Sequence, residues 1–188
     1  GVGLVGSEMC IRDRSTIIYN NEEITTIANK NLGNRFIHGF SIDGFNNLSR
    51  GLKIDYSLTY TKGDNNESYG PLPSISPLFG SLSLNYINND LTIRAVYKFS
   101  DSKDPSEYSI GGEDGLDETP YIIGQDGLKN FLGTPSWSDF SIFASKKISS
   151  NSTLRLGITN IFDIHYRTFA SGISAPGRSF QAGLNLKL

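Results

Sequence analysis

LKIDYSLTYT, residues 52–61, places an apolar side chain at every even position and a polar one at every odd position. Side chains of a β-strand point alternately to its two faces, so the pattern predicts a strand with one apolar and one polar surface. Its ten residues exceed the roughly 5–6 of a usual globular strand and match the roughly 9–11 that cross a bilayer when tilted. The segment therefore indicates a membrane-spanning strand between lipid and water.

The same alternation recurs along the chain and predicts eight strands. The apolar rows are rich in Leu and Tyr, and the opposite rows hold mostly Ser, Thr, Asn, Lys and Arg. The first two strands are less regular than the others, and no segment shows a convincing helical period. The eight predicted strands lie near residues 16–26, 35–46, 52–61, 80–86, 91–99, 140–148, 154–159 and 179–188.

Short and long connections alternate between these strands. The short ones are rich in Asn, Ser, Asp and Gly, as tight hairpins require; they are residues 46–51, 88–90 and 149–152. The long ones are residues 62–78, 100–136 and 162–178. Short periplasmic turns alternating with longer extracellular loops are typical of outer-membrane barrels. We therefore expect an all-β fold, an antiparallel transmembrane β-barrel.

The composition restricts the classes of function. The chain has 188 residues, 19% of them charged, and a net charge of −2. This balance provides no basic surface for nucleic acid. A single cysteine cannot form an internal disulfide, and no run of 18 apolar residues predicts a transmembrane helix.

Two other architectures also fit alternating strands. A soluble β-sandwich acting as a binding module would bury the Leu and Tyr rows against a second sheet. A self-contained barrel of eight strands, with a structural or adhesion role, would close by pairing its first strand with its last. The sandwich therefore predicts a buried apolar face, and the self-contained barrel predicts that the first and last strands pair.

Residues 1–14, GVGLVGSEMCIRDR, differ from the rest and contain the only Met and the only Cys of the chain. They lack the basic region followed by an apolar region that defines a signal peptide. SEMCIRDR resembles the translated remnant of a sequencing adapter. We therefore expect residues 1–14 to be a non-native leader, residues 15–188 to be the native segment of a longer chain, and Cys10 to have no functional role.

Two segments near the carboxyl end, NIFDIHYR (residues 160–167) and SGISAPGRSF (residues 171–180), resemble the carboxy-terminal part of TonB-dependent outer-membrane receptors. In that family an N-[IL]-F-[DN]-x-x-Y element ends the penultimate strand, and a Pro-Gly-Arg element leads into the last one. GTPSW at residues 133–137 looks like a further family feature. The resemblance implies structural roles for Asn160, Phe162, Asp163, Tyr166, Pro176, Gly177 and Arg178.

The resemblance also implies a function. The chain would be about the last eight strands of a barrel of about 22, in contact with outer-membrane lipid of a bacterial cell. The rest of such a receptor supplies the missing barrel strands and an amino-terminal plug, through which the TonB complex delivers energy. The receptor would bind and import a scarce small-molecule ligand, such as an iron-siderophore, haem, vitamin or glycan, and would not be an enzyme.

The last predicted strand resembles the outer-membrane assembly signal of that family. Every second residue is apolar: Phe180, Ala182, Leu184, Leu186 and Leu188. The family usually ends in an aromatic residue, most often Phe, so Leu188 departs from the pattern. We expect the signal to be weakened rather than lost.

The long connection 100–136 is acidic, with eight Asp and Glu residues against two Lys. Such a loop could capture a cationic ligand or hold Ca²⁺ through oxygen ligands. The acidic residues lack a regular ligand spacing, so a solvated surface loop is the favoured interpretation. The candidate ligand-contacting residues are Asp101, Asp104, Glu113, Asp114, Asp117 and Glu118.

Other chemistry is sparse in the sequence. His38 and His165 are isolated from Cys and from each other, so structural roles are favoured over metal binding. No nucleophile elbow, phosphate-binding glycine loop or HExxH motif is present. We therefore expect no catalytic residue, no metal site and no cofactor.

Overall fold

The computed structural model describes residues 2–66, 70–110 and 112–187. Its strands are β1 (Val2–Tyr19), β2 (Glu22–Ser49), β3 (Leu52–Gly63), β4 (Asn65–Asn66), β5 (Gly70–Pro71), β6 (Phe79–Asn88), β7 (Leu91–Ser100), β8 (Tyr121–Ile123), β9 (Lys129–Phe131), β10 (Trp137–Ser149), β11 (Ser152–Thr159) and β12 (Ser179–Leu186). Two short 3-10 helices, Pro105–Glu107 and Leu116–Glu118, lie between β7 and β8. Within these described ranges, no helix has the length and apolar character needed to cross a membrane.

Eight strands form one antiparallel sheet in the order β1-β2-β3-β6-β7-β10-β11-β12. Each pairs with its neighbour along the sequence, which makes the sheet a simple meander. The pairs β4–β5 and β8–β9 are small separate sheets inside the long connections. β1 and β12 stand at opposite ends of the order, so the described strands form an open sheet. The self-contained eight-stranded barrel, which needs β1 to pair with β12, does not match this topology.

The strand register aligns the apolar positions into continuous rows across the sheet. One row runs through Ile54, Leu84, Ala95, Ile142, Ile158 and Phe180. On β6, Leu82 and Leu84 are 44% and 41% exposed, whereas Ser83 between them is 4% exposed. A soluble sheet buries its apolar face instead, so this arrangement contradicts the β-sandwich and confirms the predicted membrane-barrel type of strand.

The polar face is held together by hydrogen bonds between strands. The hydroxyls of Ser57 and Ser81 lie 2.8 Å apart on β3 and β6. Asn85 donates from Nδ2 to Asp55 Oδ2 at 2.6 Å. Arg94 on β7 donates from Nε to Ser83 Oγ at 2.8 Å. Polar side chains on this face therefore satisfy one another, as buried polar groups must.

The first predicted strand, near residues 16–26, is wrong in position, whereas the second, near residues 35–46, lies within β2 but is too short. β1 ends at Tyr19 and β2 begins at Glu22, so the predicted first strand crosses a turn. Asn20 and Asn21 have φ of 52° and 65°, and a two-residue hairpin turn of type I′ requires positive φ at both central positions, which Asn tolerates. β2 also extends far beyond residues 35–46, and its part before Ile37 pairs only with β1.

Two further expectations concern the ends of the chain. Residues 2–14 form part of β1 and pair with β2, while their interpretation as a non-native leader stays a prediction. β12 places Phe180, Leu184 and Leu186 on the exposed apolar face, with Ala182 between them. Leu188 lies outside the described residues.

Three long connections lie at the same end of the sheet; we call them L1 (residues 64–78), L2 (residues 101–136) and L3 (residues 160–178). Leu72 of L1 and Tyr108 of L2 are buried, as is Val96 on the polar face of β7. Phe169 of L3 and Pro77 of L1 line a cavity with Ser81 on that polar face. The loops therefore fold over the polar side of the sheet.

Candidate functional site

Asn160 forms the corner where β11 enters L3. It is 3% exposed, with a φ of 47° in the left-handed region that Asn tolerates. Its Nδ2 donates to the carbonyls of Ile164 at 2.8 Å and Pro176 at 3.1 Å, and its Oδ1 accepts from Ile164 N at 2.9 Å. Its own backbone N–H donates to Ser141 Oγ on β10 at 3.2 Å. This one side chain therefore joins the start of L3 to its end.

Asp163 makes a second link across L3. Its φ is 55°, its backbone N–H donates to the Asn160 carbonyl at 2.9 Å, and its Oδ1 accepts from Arg178 N at 2.7 Å. A Cβ added at Gly177 would lie 2.7 Å from the same Oδ1, so a side chain there would force the carboxylate aside. The structure thus brings Asn160, Asp163, Pro176, Gly177 and Arg178 into one backbone corner.

The other two motif residues point elsewhere. Phe162 is exposed, and its ring lies 6.2 Å from that of Phe140, on the apolar side of β10. Tyr166 stacks on Trp137, with ring centroids 4.2 Å apart and planes 18° from parallel. That stacked pair forms part of a cavity between L2 and L3 of about 450 Å³, which we call the L2–L3 cavity. Its lining includes Glu118, Tyr121, Trp137, His165, Tyr166 and Arg167.

The L2–L3 cavity combines aromatic surfaces with a few polar groups. Arg167 donates from Nη1 to the Glu118 carbonyl at 3.0 Å and from Nε to Ser174 Oγ at 3.2 Å. Burial raises the pKa of Tyr166, and the nearby Asp139 carboxylate raises it further. Tyr166 therefore keeps its proton at neutral pH. The cavity can hold a small molecule through aromatic contact and hydrogen bonds.

A second cavity, of about 340 Å³, lies between L1 and L2. Tyr60, Lys62, Leu72, Lys103 and Glu107 contribute to its wall. The fold therefore leaves a second, partly open cavity at the loop end of the sheet.

A family model described as "TonB dependent receptor-like, beta-barrel" matches residues 11–161. The chain belongs to this family. The receptor family consists of outer-membrane β-barrel proteins, which agrees with the exposed apolar face and the polar inner face described above. No curated protein matches the sequence.

Solved structures similar to this receptor chain share its fold. The copper transporter OprC has 21% identity and a TM-score of 0.68 over 98% of this chain and 26% of its own. A mutant ferric enterobactin receptor, PfeA, from Pseudomonas aeruginosa in complex with enterobactin has 18% identity and a TM-score of 0.67, covering 98% and 29%. The siderophore receptor PirA from Acinetobacter baumannii has 18% identity and a TM-score of 0.62, covering 98% and 27%. The chain thus spans about a quarter of the length of these receptors.

Three of the six acidic residues predicted as ligand contacts form hydrogen bonds within L2 instead. Asp104 caps the first 3-10 helix by accepting from Ser106 N at 2.9 Å, and the Ser106 bonds lower the pKa of its carboxyl. Asp101 accepts from Ser102 N at 2.8 Å, and Glu113 accepts from Ser109 Oγ at 3.1 Å. Asp117 is exposed. Of the predicted ligand-contacting set, the L2–L3 cavity brings together only Asp114 and Glu118.

Metal coordination finds no support among the described residues. No group of three or more His, Cys, Asp or Glu side chains lies close enough there to hold an ion. His165 lines the L2–L3 cavity, whereas His38 lies on β2 opposite Lys62 of β3.

Sequence reasoning did not assign the aromatic wall of the L2–L3 cavity or the buried position of Lys103. Trp137 is the only tryptophan of the chain, and the sequence indicates only that it belongs to the GTPSW motif. Its position on the polar side of β10 could have suggested an inward-facing aromatic. Lys103 was counted only as a loop charge, and nothing in its local sequence signals burial.

Proposed function

We propose that this chain is the carboxy-terminal barrel segment of an active-transport receptor in the bacterial outer membrane. The complete receptor includes a plug and further barrel strands, binds a scarce small molecule at its outer face and imports it with energy from the TonB complex. Residues 15–188 form the native segment in this proposal. The chain performs no chemical transformation. Its role is to contribute to ligand binding and to form part of the wall of the transport path.

The observation that carries the proposal is the placement of the L2–L3 cavity. The loops that form it fold over the polar face, while the apolar face of the same sheet stays exposed for lipid. A ligand held between L2 and L3 therefore lies at the loop end of a polar inner surface. The similar structures named as siderophore and copper receptors support transport as the function.

The ligand classes we propose are an iron-siderophore, haem, a vitamin or a glycan. Haem, glycans and those siderophores and vitamins that carry rings present ring surfaces with polar edges, which suit the Trp137–Tyr166 wall. Residues 15–188 contain no Cys or Met, the soft ligands that Cu(I) prefers, so this segment by itself does not favour a site for free Cu(I).

Uptake by cells expressing the complete receptor tests the proposal. Radiolabelled ferric siderophores, haem, cobalamin and oligosaccharides would be supplied to cells with and without TonB. We expect uptake of one class, abolished without TonB and weakened by Tyr166→Leu. Ile173→Leu, an exposed position of L3 outside the cavity lining, is the control and should leave uptake unchanged. Uptake of no class, or uptake independent of TonB, would contradict the proposal.

A further inference from the structure

The side chain of Lys103 is buried where L1, L2 and L3 meet. It is 3% exposed, although lysine is almost never fully buried unless it is paired. Its Nζ donates to the carbonyl of Ile75 in L1. The same Nζ lies 4.3 Å from the ring centroid of Phe169 in L3 and 3.9 Å from Asp114 Oδ2 in L2. One ammonium group therefore contacts all three loops.

Asp114 provides a second link between L1 and L2. It is 2% exposed, and its Oδ1 accepts from the backbone N–H of Ser74 at 2.7 Å. Ser74 has a φ of 62°, a conformation that serine rarely adopts without support. Among the described residues, Asp114 Oδ2 has no hydrogen-bond donor. The nearby Lys103 charge is therefore what compensates this buried oxygen.

Aromatic and backbone contacts close the cluster around the ammonium. Tyr108 meets Phe169 edge to face at 5.9 Å, and its hydroxyl lies 2.6 Å from Thr134 Oγ1. Lys103 and Thr134 exchange backbone hydrogen bonds of 2.9 and 3.1 Å. Both ends of L2 are thus fixed beside the same charge, and L3 is packed against it.

The cluster is stable only as a whole. Burial lowers the pKa of Lys103, while the carboxylates of Asp114 and Glu107 act in the opposite direction. A buried charge that loses its partner is strongly destabilising, because neither water nor another group replaces the lost contact. If one loop moves away, buried charged or polar groups of the other two loops therefore lose their partners or become exposed to water.

We propose that Lys103 and Asp114 couple L1, L2 and L3 into one unit, so that L1 cannot open without L2 and L3. Asp114 and Thr134 also line the L2–L3 cavity, so the coupling fixes part of the cavity wall. The inference concerns the loops alone and holds whatever ligand the receptor takes.

Hydrogen exchange measured by mass spectrometry on the complete receptor in lipid nanodiscs tests the coupling. Lys103→Met keeps the length of the side chain and removes the charge. We expect about tenfold or faster amide exchange in all three loops together, since local opening frees each group that the pair holds. Faster exchange confined to L2, with L1 and L3 unchanged, would overturn the proposal.

Lys129→Met is the matched control. Lys129 also belongs to L2 and lies over an aromatic ring, 4.4 Å from the centroid of Tyr121, but that contact stays within the β8–β9 hairpin. We expect faster exchange in that hairpin at most. If Lys129→Met accelerated exchange in L1 and L3 as much as Lys103→Met does, loss of any lysine contact in L2 would loosen the loops. That result would contradict a specific coupling through Lys103.

Asp114→Asn keeps the hydrogen-bond acceptor for Ser74 and removes the counter-charge of Lys103. We expect this variant to loosen all three loops as well. Combining it with Lys103→Met removes both charges. The loss of loop-opening free energy in the double variant should therefore be smaller than the sum of the losses in the two single variants. Strict additivity would overturn the proposal. Asp114→Asn remains informative if Lys103→Met alone fails to assemble, since loosening of L2 alone in Asp114→Asn would also overturn the proposal; neither measurement requires ligand uptake.

Discussion

At the scale of single residues, the corner at Asn160 shows how one side chain organises a loop. Its amide satisfies backbone groups of residues four and sixteen positions away, and its backbone adopts a left-handed conformation. An amide side chain and a tolerance of positive φ are both needed at this position. Asparagine is the residue that supplies the two together.

Replacement of Asn160 separates these two contributions. Asn160→Gly keeps the backbone freedom but loses the side-chain bonds, and we expect a loss of about 2 kcal/mol in the unfolding free energy. Asn160→Ala adds left-handed strain, for about 3 kcal/mol in total. Denaturant unfolding of the receptor from lipid vesicles measures both. Asn151→Ala, in the exposed β10–β11 turn, is the control; an equal loss there would contradict the account.

Tyr108 gives a prediction about pH. Burial raises the pKa of its hydroxyl above the ordinary value, an effect that the bond with Thr134 partly offsets. At pH values below the ordinary tyrosine pKa, the hydroxyl is protonated in both the closed and the opened loop. The buried Tyr108 hydroxyl then makes its full contribution to loop stability. Above that pKa, the opened loop loses its proton first, so stability falls as the pH rises.

The ¹³C resonance of labelled tyrosine measures this titration. The resonance that disappears in Tyr108→Phe belongs to Tyr108, and it should titrate at a higher pH than free tyrosine does. Protease cleavage within L2 should become faster over the same alkaline range in the unmodified receptor, and that pH dependence should weaken in the variant. If the Tyr108 resonance titrated at the same pH as free tyrosine, or at a lower pH, the result would contradict the burial seen in the structure.

At the scale of elements, the two faces of a strand should tolerate charge differently. Ile93 and Thr92 are neighbours on β7, both exposed, with Ile93 in an apolar row beside Tyr86 and Ala144. We expect Ile93→Lys to cost about 1 kcal/mol, because the lipid-facing ammonium leaves water close to the interface at the short-turn end of β7. Thr92→Lys should be nearly neutral. Unfolding from bilayers compares the two, and an equal cost would exclude lipid contact at Ile93.

The sequence predicts seven of the eight long strands, β2 only in its second half, and the six from β3 onward are clear because their two faces have different environments. Residues 52–61 alternate without exception, and β3 covers Leu52–Gly63. β1 and β2 lack this signal over most of their length, since the part of the hairpin before Ile37 pairs only within itself. The Asn20–Asn21 turn was present in the sequence but was hidden by the surrounding irregular pattern.

At the scale of the whole molecule, the loops account for what the sequence could not predict. The Lys103 cluster joins residues 28 to 66 positions apart, and the wall of the L2–L3 cavity joins Tyr166 to Trp137. Such contacts depend on how three irregular segments fold over one another, and no local pattern encodes that. The motif residues near Asn160 were recognisable by the family resemblance, and the contacts of Asn160, Asp163, Pro176, Gly177 and Arg178 lie mainly within L3.

The origin of residues 1–14 can be tested directly on the source DNA. If they are a non-native leader, independent reads across the codon for Ser15 should replace them with other residues, followed upstream by further alternating strands and a plug. Recovery of the same fourteen codons from an independent read would contradict this interpretation.

The central claim is that each strand separates lipid from an aqueous interior. Spin labels placed one at a time at residues 80–86 of β6, in a receptor with no other cysteine, report accessibility to oxygen in the bilayer and to a nickel chelate in water. We predict a period of two, with oxygen maxima at Leu82, Leu84 and Tyr86 and nickel maxima at Ser81, Ser83 and Asn85. Equal accessibility to the two reagents along β6, or nickel maxima at the leucines, would contradict the account.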